Sequence, residues 1–497
     1  MKEIQDLISV SQYYGNNTKY VIAGGGNTSY KNKDKIWVKA SGSSLATITE
    51  DGFAVLDRSL LNLMSDKQYS SNTVEREEQV KTDLEVATIT KGRRPSVETS
   101  MHNVIDYAFV VHLHPTLVNG LMCAQNAEED LIKLFGKEAL YIEYTDPGYI
   151  LFKKVEDKIK AYRKEFNKEP HVIWLQNHGI FVAADSIDNI KEIYSDLFAK
   201  LEQAIVHKLP EGERDTCNCT ELIVPAIRMM LSENGLKTLK VRKNELIKYY
   251  YDSVENQETI AKPFNPDAIV YTKSNYLFFN QENPEEVIES AKKEIPAFVE
   301  KYGYQPKVLI IKGIGLVAVG DNAKQCDTIL DVFEDSMKIA YLALSFGGAH
   351  PMTQQQIDFI DNWEVENYRR SVAAAGSRAG RAENKTIIVT GAAQGFGEGI
   401  ARNLLLEGAN IVVADLNEEV GQKTVEHFNT LVKNNRAIFV KTNVGDLESI
   451  KNMVHKTVCN FGGIDTFISN AGVLRAGGLE DMTPENFDFV TKINYNA

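Results

Sequence analysis

Three histidines stand in two short motifs: His112 and His114 in Val-Val-His-Leu-His-Pro, and His178 in Gln-Asn-His-Gly-Ile. Alternate residues of a strand project to one face, so His112 and His114 can present two imidazoles side by side. His178 can close the set from an adjacent strand. Three neutral nitrogen donors with an open fourth position are the ligand set of a catalytic zinc ion. A divalent cation held by neutral ligands keeps its full charge and can stabilise an oxyanion formed beside a ketone. Glu98 precedes the first motif in Glu-x-x-x-His and can reach the same pocket, where a carboxylate could move a proton at carbon.

The surrounding text alternates strand-like and helix-like runs, an α/β pattern. Tyr20–Ala23, Ile36–Lys39, Phe109–Leu113 and His171–Leu175 read as strands. Gly24-Gly25-Gly26-Asn27 and Ser41-Gly42-Ser43-Ser44 interrupt them as polar turns, and Ile187–Val206 has helical periodicity. His102 is a candidate to line or support the site. His171, His207, His350, His427 and His455 read as ordinary.

The chain has 497 residues, enough for more than one domain. Its 43% hydrophobic and 25% charged content is that of a globular protein. A net charge of −13 without a basic stripe argues against a nucleic-acid partner. No signal-type segment opens the chain and no run of 18 apolar residues occurs, so no membrane role is expected. The five scattered cysteines suit a reducing cytoplasm; Cys217-x-Cys219 alone is a weak metal signal.

Three regions separate by pattern: 1–215, 216–375 and 385–497, the last preceded by a linker at 376–384. The middle region has no obvious catalytic residues, but part of it repeats the first. Val172–Asp185, containing His178, parallels Val308–Asp321, with Ile314 at the histidine's place. Asp267–Lys273 weakly echoes the His112 strand. The expectation is a degenerate second copy of the first fold.

The third region opens Ile387-Ile-Val-Thr-Gly391-Ala-Ala-Gln-Gly395-Phe-Gly397. A buried strand runs into a glycine turn and then a helix, which lets a pyrophosphate approach the helix N-terminus. Asp415 ends the next strand, Asn410–Asp415, at the spacing of a ribose 2′-hydroxyl partner. A carboxylate there repels a 2′-phosphate, which favours NAD over NADP.

Gly-Asn-Thr-Ser, Ser-Gly-Ser-Ser, Pro-Ser-x-Glu, His-x-His-Pro and Asn-His-Gly, in that order, resemble the class II sugar-phosphate aldolase and epimerase superfamily over the first 210 residues or so. The resemblance implies a central β-sheet flanked by helices, Zn2+ on His112, His114 and His178, and Glu98 as acid/base beside the metal. It implies phosphate contacts at Asn27, Ser41, Gly42 and Ser96, with Val97 departing from a second serine often found there. Tyr141 and Tyr144 are the candidates for the proton donor to a leaving aldehyde.

Thr-Gly-x-x-x-Gly-x-Gly, followed by Asn443-Val444, Ser469-Asn470-Ala471-Gly472 and Asn494, resembles the short-chain dehydrogenase/reductase family. That resemblance assigns NAD contacts to Gly391, Gly395, Gly397, Asp415, Asn443, Asn470 and Gly472, on an incomplete Rossmann sheet. The family's catalytic Ser and Tyr-x-x-x-Lys pair are not found in 385–497, so the expectation for these 497 residues is a C-terminally truncated domain without dehydrogenase turnover.

The whole order resembles bifunctional class II aldolase/short-chain dehydrogenases of the rhamnulose-1-phosphate aldolase/lactaldehyde dehydrogenase type. The resemblance implies a cytoplasmic homo-oligomer that cleaves a small sugar phosphate, a 6-deoxyketose 1-phosphate, to dihydroxyacetone phosphate and lactaldehyde. The alternatives are an NAD-dependent oxidoreductase represented by a fragment, and a non-catalytic interaction protein on the aldolase fold. An epimerase would use the same metal site without net cleavage.

Overall fold

The computed structural model describes residues 1–214, 219–233, 235–363 and 380–496; Cys217 and positions 376–379 of the expected linker lie outside them. The chain forms two compact units that do not follow the linear boundaries read from the sequence. The first takes Met1–Pro210, then Glu258–Ser274 and the stretch beginning at Glu334. The second takes Glu211–Gln257, Asn275–Phe333 and the C-terminal region. The middle region is therefore shared between two cores and is not a block of its own. Among the described residues no helix is long and apolar enough to cross a membrane.

The first unit is built on a seven-stranded sheet. Its strands are β1 (Asn27–Lys31), β2 (Lys35–Lys39), β3 (Phe53–Asp57), β4 (Phe109–Leu113), β5 (Leu140–Ile142), β6 (Val172–Leu175) and β7 (Gly179–Ala184), in the order β3-β2-β1-β4-β7-β6-β5. Only β5 and β6 run parallel. The central strand β4 is buried on both faces. Phe109, Val111 and Leu113 enter one core with Leu7, Val10 and Tyr14 of the helix Lys2–Gly15, and with Tyr194 and Leu201 of the helix Ile187–Ala204. Val110 faces the opposite core, formed with Val155 and Ile159 of the helix Tyr149–Phe166. His112 shares that second face by the two-residue period of a strand.

Two sequence expectations fail here. Tyr20–Ala23 is not a strand. It follows the first helix as a turn, with Tyr20 and Val21 donating to the Asn17 carbonyl and Ala23 at φ 53°. Its apolar character serves ring packing, Tyr20 lying 4.9 Å from Tyr14 and 4.7 Å from Phe198 between centroids. The strand is instead Asn27–Lys31, whose polar side chains hid it. Its Thr28 and Ser29 are fully buried and hydrogen-bonded, to Ser11 (2.7 Å) and His102 (2.8 Å). Nor is Asp267–Lys273 a strand: Pro266–Thr272 is helical, started by the Asn265 side chain accepting from the Ala268 amide with proline in the first turn.

In the second unit, β8 (Thr238–Arg242), β9 (Leu277–Phe279), β10 (Val308–Ile311) and β11 (Gly315–Gly320) form a sheet ordered β8-β11-β10-β9. This repeats β4-β7-β6-β5 in order and in sense: antiparallel, antiparallel, parallel. The registers correspond. Val172 faces Val182 and Leu175 faces Gly179, as Val308 faces Ala318 and Ile311 faces Gly315. By the same pairing the place of His112, opposite Phe181, is held by Val241, opposite Val317. These matches support reading the middle sheet as a degenerate copy; with Val241 and Ile314 at two of the histidine places, it has lost the means to bind a metal there.

The C-terminal strands β12 (Thr386–Thr390), β13 (Asn410–Asp415), β14 (Ala437–Lys441) and β15 (Thr466–Ile468) form a parallel sheet ordered β14-β13-β12-β15. It joins the middle sheet in one unit through an ion pair whose arginine is buried. Arg228, 2% exposed, donates from both terminal nitrogens to Asp465 (3.0 and 2.8 Å) and from Nε to the Lys237 carbonyl. Asp465 also accepts the Thr386 amide at the start of β12. Removing Asp465 leaves the buried Arg228 guanidinium without its carboxylate. Asp465→Ala is expected to cost about 3–5 kcal/mol, measured by denaturant unfolding of the full chain; a loss within the error of the measurement would show that the pair carries no net stability.

Candidate metal centre and dinucleotide site

His112 leaves β4 on the face opposite the Leu7–Tyr14 core, and its ring stacks on Phe181 with centroids 4.0 Å apart. Its Nδ1 lies 3.0 Å from the Ile180 carbonyl oxygen, which can only accept, so Nδ1 carries the hydrogen and Nε2 the lone pair. His114 follows the last residue of β4. Its Nδ1 lies 2.5 Å from Oδ2 of Asp267, a carboxylate that again takes the Nδ1 hydrogen and leaves Nε2 facing inward. The two Nε2 atoms are 2.9 Å apart.

His178 arrives from the tight turn between β6 and β7, not from within a strand as expected. Asn177 holds that turn at φ 53°, its amide donating to the Phe264 (2.9 Å) and His350 (2.8 Å) carbonyls. Asn119 donates to the His178 carbonyl at 3.3 Å. Gly179 is required next, because a Cβ there would stand 2.4 Å from the Leu113 carbonyl oxygen and 2.6 Å from the His114 ring.

Glu98 completes the group. Its Oε1 lies 3.2 Å from His112 Nε2 and 3.5 Å from His178 Nε2, while Oε2 accepts from the Asn27 amide at 3.2 Å. Ligand atoms of Glu98, His112, His114 and His178 all lie within 4.8 Å of one another. Burial pushes the Glu98 carboxyl up, but His112 and His178 more than reverse this and hold it well below the usual carboxylate range. Burial brings His178 down to about 4, so its imidazole is neutral at pH 7. Lone pairs and a carboxylate converging in a buried space repel unless something positive sits among them. Protons serve at low pH; at neutral pH a divalent cation fits, and this donor set suits zinc.

The expected phosphate residues adjoin this group. Ser41 and its neighbours run beside Arg94–Ser96, with Ala40 bridged to Pro95, the Ser41 amide donating to the Arg94 carbonyl, and Ser41 Oγ donating to the Pro95 carbonyl. Ser96 Oγ accepts the Glu98 amide at 3.2 Å. Gly42 sits at φ 86°. Asn27 is committed to Glu98 through its amide nitrogen, while its buried Oδ1 has no hydrogen-bond partner. His102 supports the site from outside: it binds Ser29, and its ring meets the edge of Phe181 at 5.4 Å. Burial brings it down to about 3, so it stays neutral. A cleft beside His178 is lined by Tyr144, Pro147, Gln176 and Pro266; Tyr141 is not part of it.

Asp267 escaped the sequence reading, since nothing local marks a residue 153 positions from its partner. Asn177 was visible only as part of the Asn-His-Gly motif.

In the second unit, the crevice between β12 and β15 lies where the strand order reverses, the position at which open parallel sheets bind ligands. Gly391 (φ 63°) follows β12. Gly397 lets the following helix, Gly395–Leu406, approach that turn: a Cβ there would meet the Gly391 carbonyl oxygen at 2.2 Å and the Asn470 amide nitrogen at 2.6 Å. Asn470 follows β15 and donates to the Thr390 and Gly391 carbonyls. Gly395 sits at φ 67°. Asp415 ends β13 and accepts from the Ala393 amide at 3.0 Å, so its carboxylate is tied to the glycine turn. Asn443 caps its own loop, accepting from Gly445. Gly472 lies beside Asn494, which brackets Val473 by accepting from its amide and donating to its carbonyl.

Comparison with known proteins agrees with this geometry. Residues 5–197 match the model of the Class II Aldolase and Adducin N-terminal domain, and residues 385–497 match that of the short chain dehydrogenases. A Bacillus subtilis (strain 168) protein described as uncharacterized oxidoreductase YuxG is 24% identical over 97% of this chain and 74% of its own length. Oxidoreductase UcpA of Salmonella typhimurium is 37% identical over 23% of this chain, and that match spans less than half of its length, 43%. Among solved structures, the N-terminal class II aldolase domain of a conserved Thermoplasma acidophilum protein is 24% identical, covering 40% of this chain and 92% of that one with a TM-score of 0.36. By the two family matches the chain carries a class II aldolase domain in its N-terminal part and a short-chain dehydrogenase domain of Rossmann-like fold in its C-terminal part.

Near the metal centre, Asp335 is buried and binds the hydroxyl of Thr116, two residues after His114. Burial pushes its carboxyl up to about 7. Between about pH 4, where an unfolded aspartate titrates, and pH 7, the folded protein keeps a proton that the unfolded chain releases. Stability from this group is therefore present at low pH and is lost as pH rises through 7. Asp335→Asn is expected to raise the thermal midpoint at pH 8 and leave it nearly unchanged at pH 5; equal shifts at both values would refute the assignment.

Proposed function

We propose that the first unit is a zinc-dependent aldolase that cleaves a 6-deoxyketose 1-phosphate, rhamnulose 1-phosphate by family likeness, to dihydroxyacetone phosphate and lactaldehyde. The observation that carries the reading is the buried convergence of three imidazoles and Glu98, with the Ser41–Gly42 and Ser96 turns alongside. When bound, zinc supplies a Lewis acid for negative charge on the substrate's ketone oxygen.

The residues divide the remaining work. Breaking the bond between the third and fourth carbons removes the proton of the C4 hydroxyl and leaves the bonding electron pair on the three-carbon fragment. In the condensing direction Glu98, ionised and held by Asn27, abstracts a proton from dihydroxyacetone phosphate; in cleavage the C4 hydroxyl proton is given up to solvent and the Glu98 carboxylate takes up a proton that it passes to that carbon, so none is gained or lost overall. Tyr144, in the cleft beside His178, is the candidate to exchange the C4 hydroxyl proton. Backbone amides at Gly42 and in the Ser96 turn are the candidates to cradle the phosphate, the Ser41 amide being engaged by the Arg94 carbonyl.

The dehydrogenase domain is read as an NAD site whose aldehyde substrate would be the lactaldehyde released by cleavage. A relative described as an oxidoreductase matches nearly the whole chain, which favours a redox role. The retained four-residue group speaks against a purely structural interaction protein.

The decisive assay is release of dihydroxyacetone phosphate from rhamnulose 1-phosphate, coupled to glycerol-phosphate dehydrogenase, with and without chelator. Activity should vanish on chelation and return with Zn2+, and Glu98→Gln should lower kcat by about 100- to 10,000-fold. Isomerisation of the sugar without cleavage would instead identify an epimerase. For the second unit, NADH should bind in preference to NADPH by fluorescence titration. Asp415→Ala should move that preference about tenfold or more towards NADPH by removing a like charge; tight NADPH binding by the unaltered chain would contradict the assignment.

A further inference from the structure

We infer that Asp267 and Tyr271, four residues apart on one face of the helix Pro266–Thr272, are positioning residues that set the tautomer and orientation of His114 and thereby the strength of the metal centre. The inference rests on the metal-centred reading above. It assigns a role to a segment beyond residues 5–197, the stretch matched by the class II aldolase model.

The geometry is direct. Asp267 Oδ2 lies 2.5 Å from His114 Nδ1. One turn later the Tyr271 hydroxyl accepts the Gly24 amide at 3.1 Å. The Gly24–Gly26 turn delivers Asn27, which in turn holds Glu98. Gly25 is pressed between these contacts: a Cβ on it would stand 3.1 Å from Asp267 Oδ2 and 3.7 Å from His114 Nδ1. One face of a two-turn helix thus grips both the imidazole and the turn that leads to the acid/base.

The helix itself is firmly held. Asn265 caps it, and Ile269 is fully buried in a cluster with Met352, Ile357, Ile360 and Trp363. A neutral acceptor would also fix the His114 tautomer, as the Ile180 carbonyl does for His112. A carboxylate does more: it raises the basicity of the ring and offsets charge on a bound cation. Three neutral imidazoles and Glu98 leave a divalent ion with one unit of excess positive charge, and Asp267 sits where it neutralises that excess through His114.

The test uses full-length protein stripped of metal and titrated with Co2+, reading the visible d–d bands and the dissociation constant. Asp267→Asn should weaken Co2+ binding about 10- to 100-fold and alter the band pattern as the His114 ring loses its fixed orientation. Asp267→Glu should recover part of the affinity, and Tyr271→Phe should weaken binding less than Asp267→Asn. Wild-type affinity and spectrum in both Asp267→Asn and Asp267→Ser would overturn the inference while leaving the metal centre standing. Loss of native far-UV circular dichroism in both variants would make Asp267 a folding residue and overturn it equally. Failure of the unaltered chain to take up Co2+ would remove the metal-centred reading first, and this inference with it.

Discussion

Two imidazole nitrogens are held 2.9 Å apart with their lone pairs turned towards each other. The arrangement is stable only with positive charge between them, and the protein is built to keep it so. Each ring is prevented from turning away by a hydrogen bond at its far nitrogen, one to a backbone carbonyl and one to a carboxylate. Glu98 adds a negative oxygen to the same small volume, and burial of His178 disfavours its protonated form. The candidate metal centre of the first unit rests on this enforced crowding of electron pairs.

The scaffold that enforces it is a sheet whose central strand is covered on both faces. Such a strand cannot twist a side chain out to water, so His112 remains on the face its position in β4 dictates. The adjoining strand β1 is polar and buried at once, with the Thr28 and Ser29 hydroxyls engaged by Ser11 and His102 of covering helices. It brings its first residue, Asn27, to the register opposite His112, where the side-chain amide holds Glu98. The sheet of the middle region has the same strand order and sense without this burden. Where histidines would stand it has Val241 and Ile314, both able to pack without charge compensation.

The candidate site of the C-terminal domain is built differently. There it is backbone, made by glycines that let a helix end come close to a turn, with the Asp415 carboxylate tied to that turn. Its first strand is fastened by Asp465, which accepts from Thr386 and from both ends of the Arg228 guanidinium. The pair holds register because the buried Arg228 guanidinium is costly without its carboxylate.

Motif spacing in the chain was enough to find His112, His114, His178 and Glu98, the glycine turn after β12 and Asp415, because each lies in a short segment whose local geometry is dictated by strand or turn period. Strands β4, β6 and β13 were legible for the same reason: hydrophobic runs of strand length bounded by polar turns. Asn27–Lys31 was not, since a strand buried through hydroxyl pairing has no hydrophobic signature, and the apolar run at Tyr20–Ala23 mimicked one. The linear text also could not show that 258–274 folds with the first unit or that Asp267 stands behind His114. That contact joins residues 153 apart, and its partner choice was made by packing of Ile269 into a distant cluster and not by any pattern near Asp267.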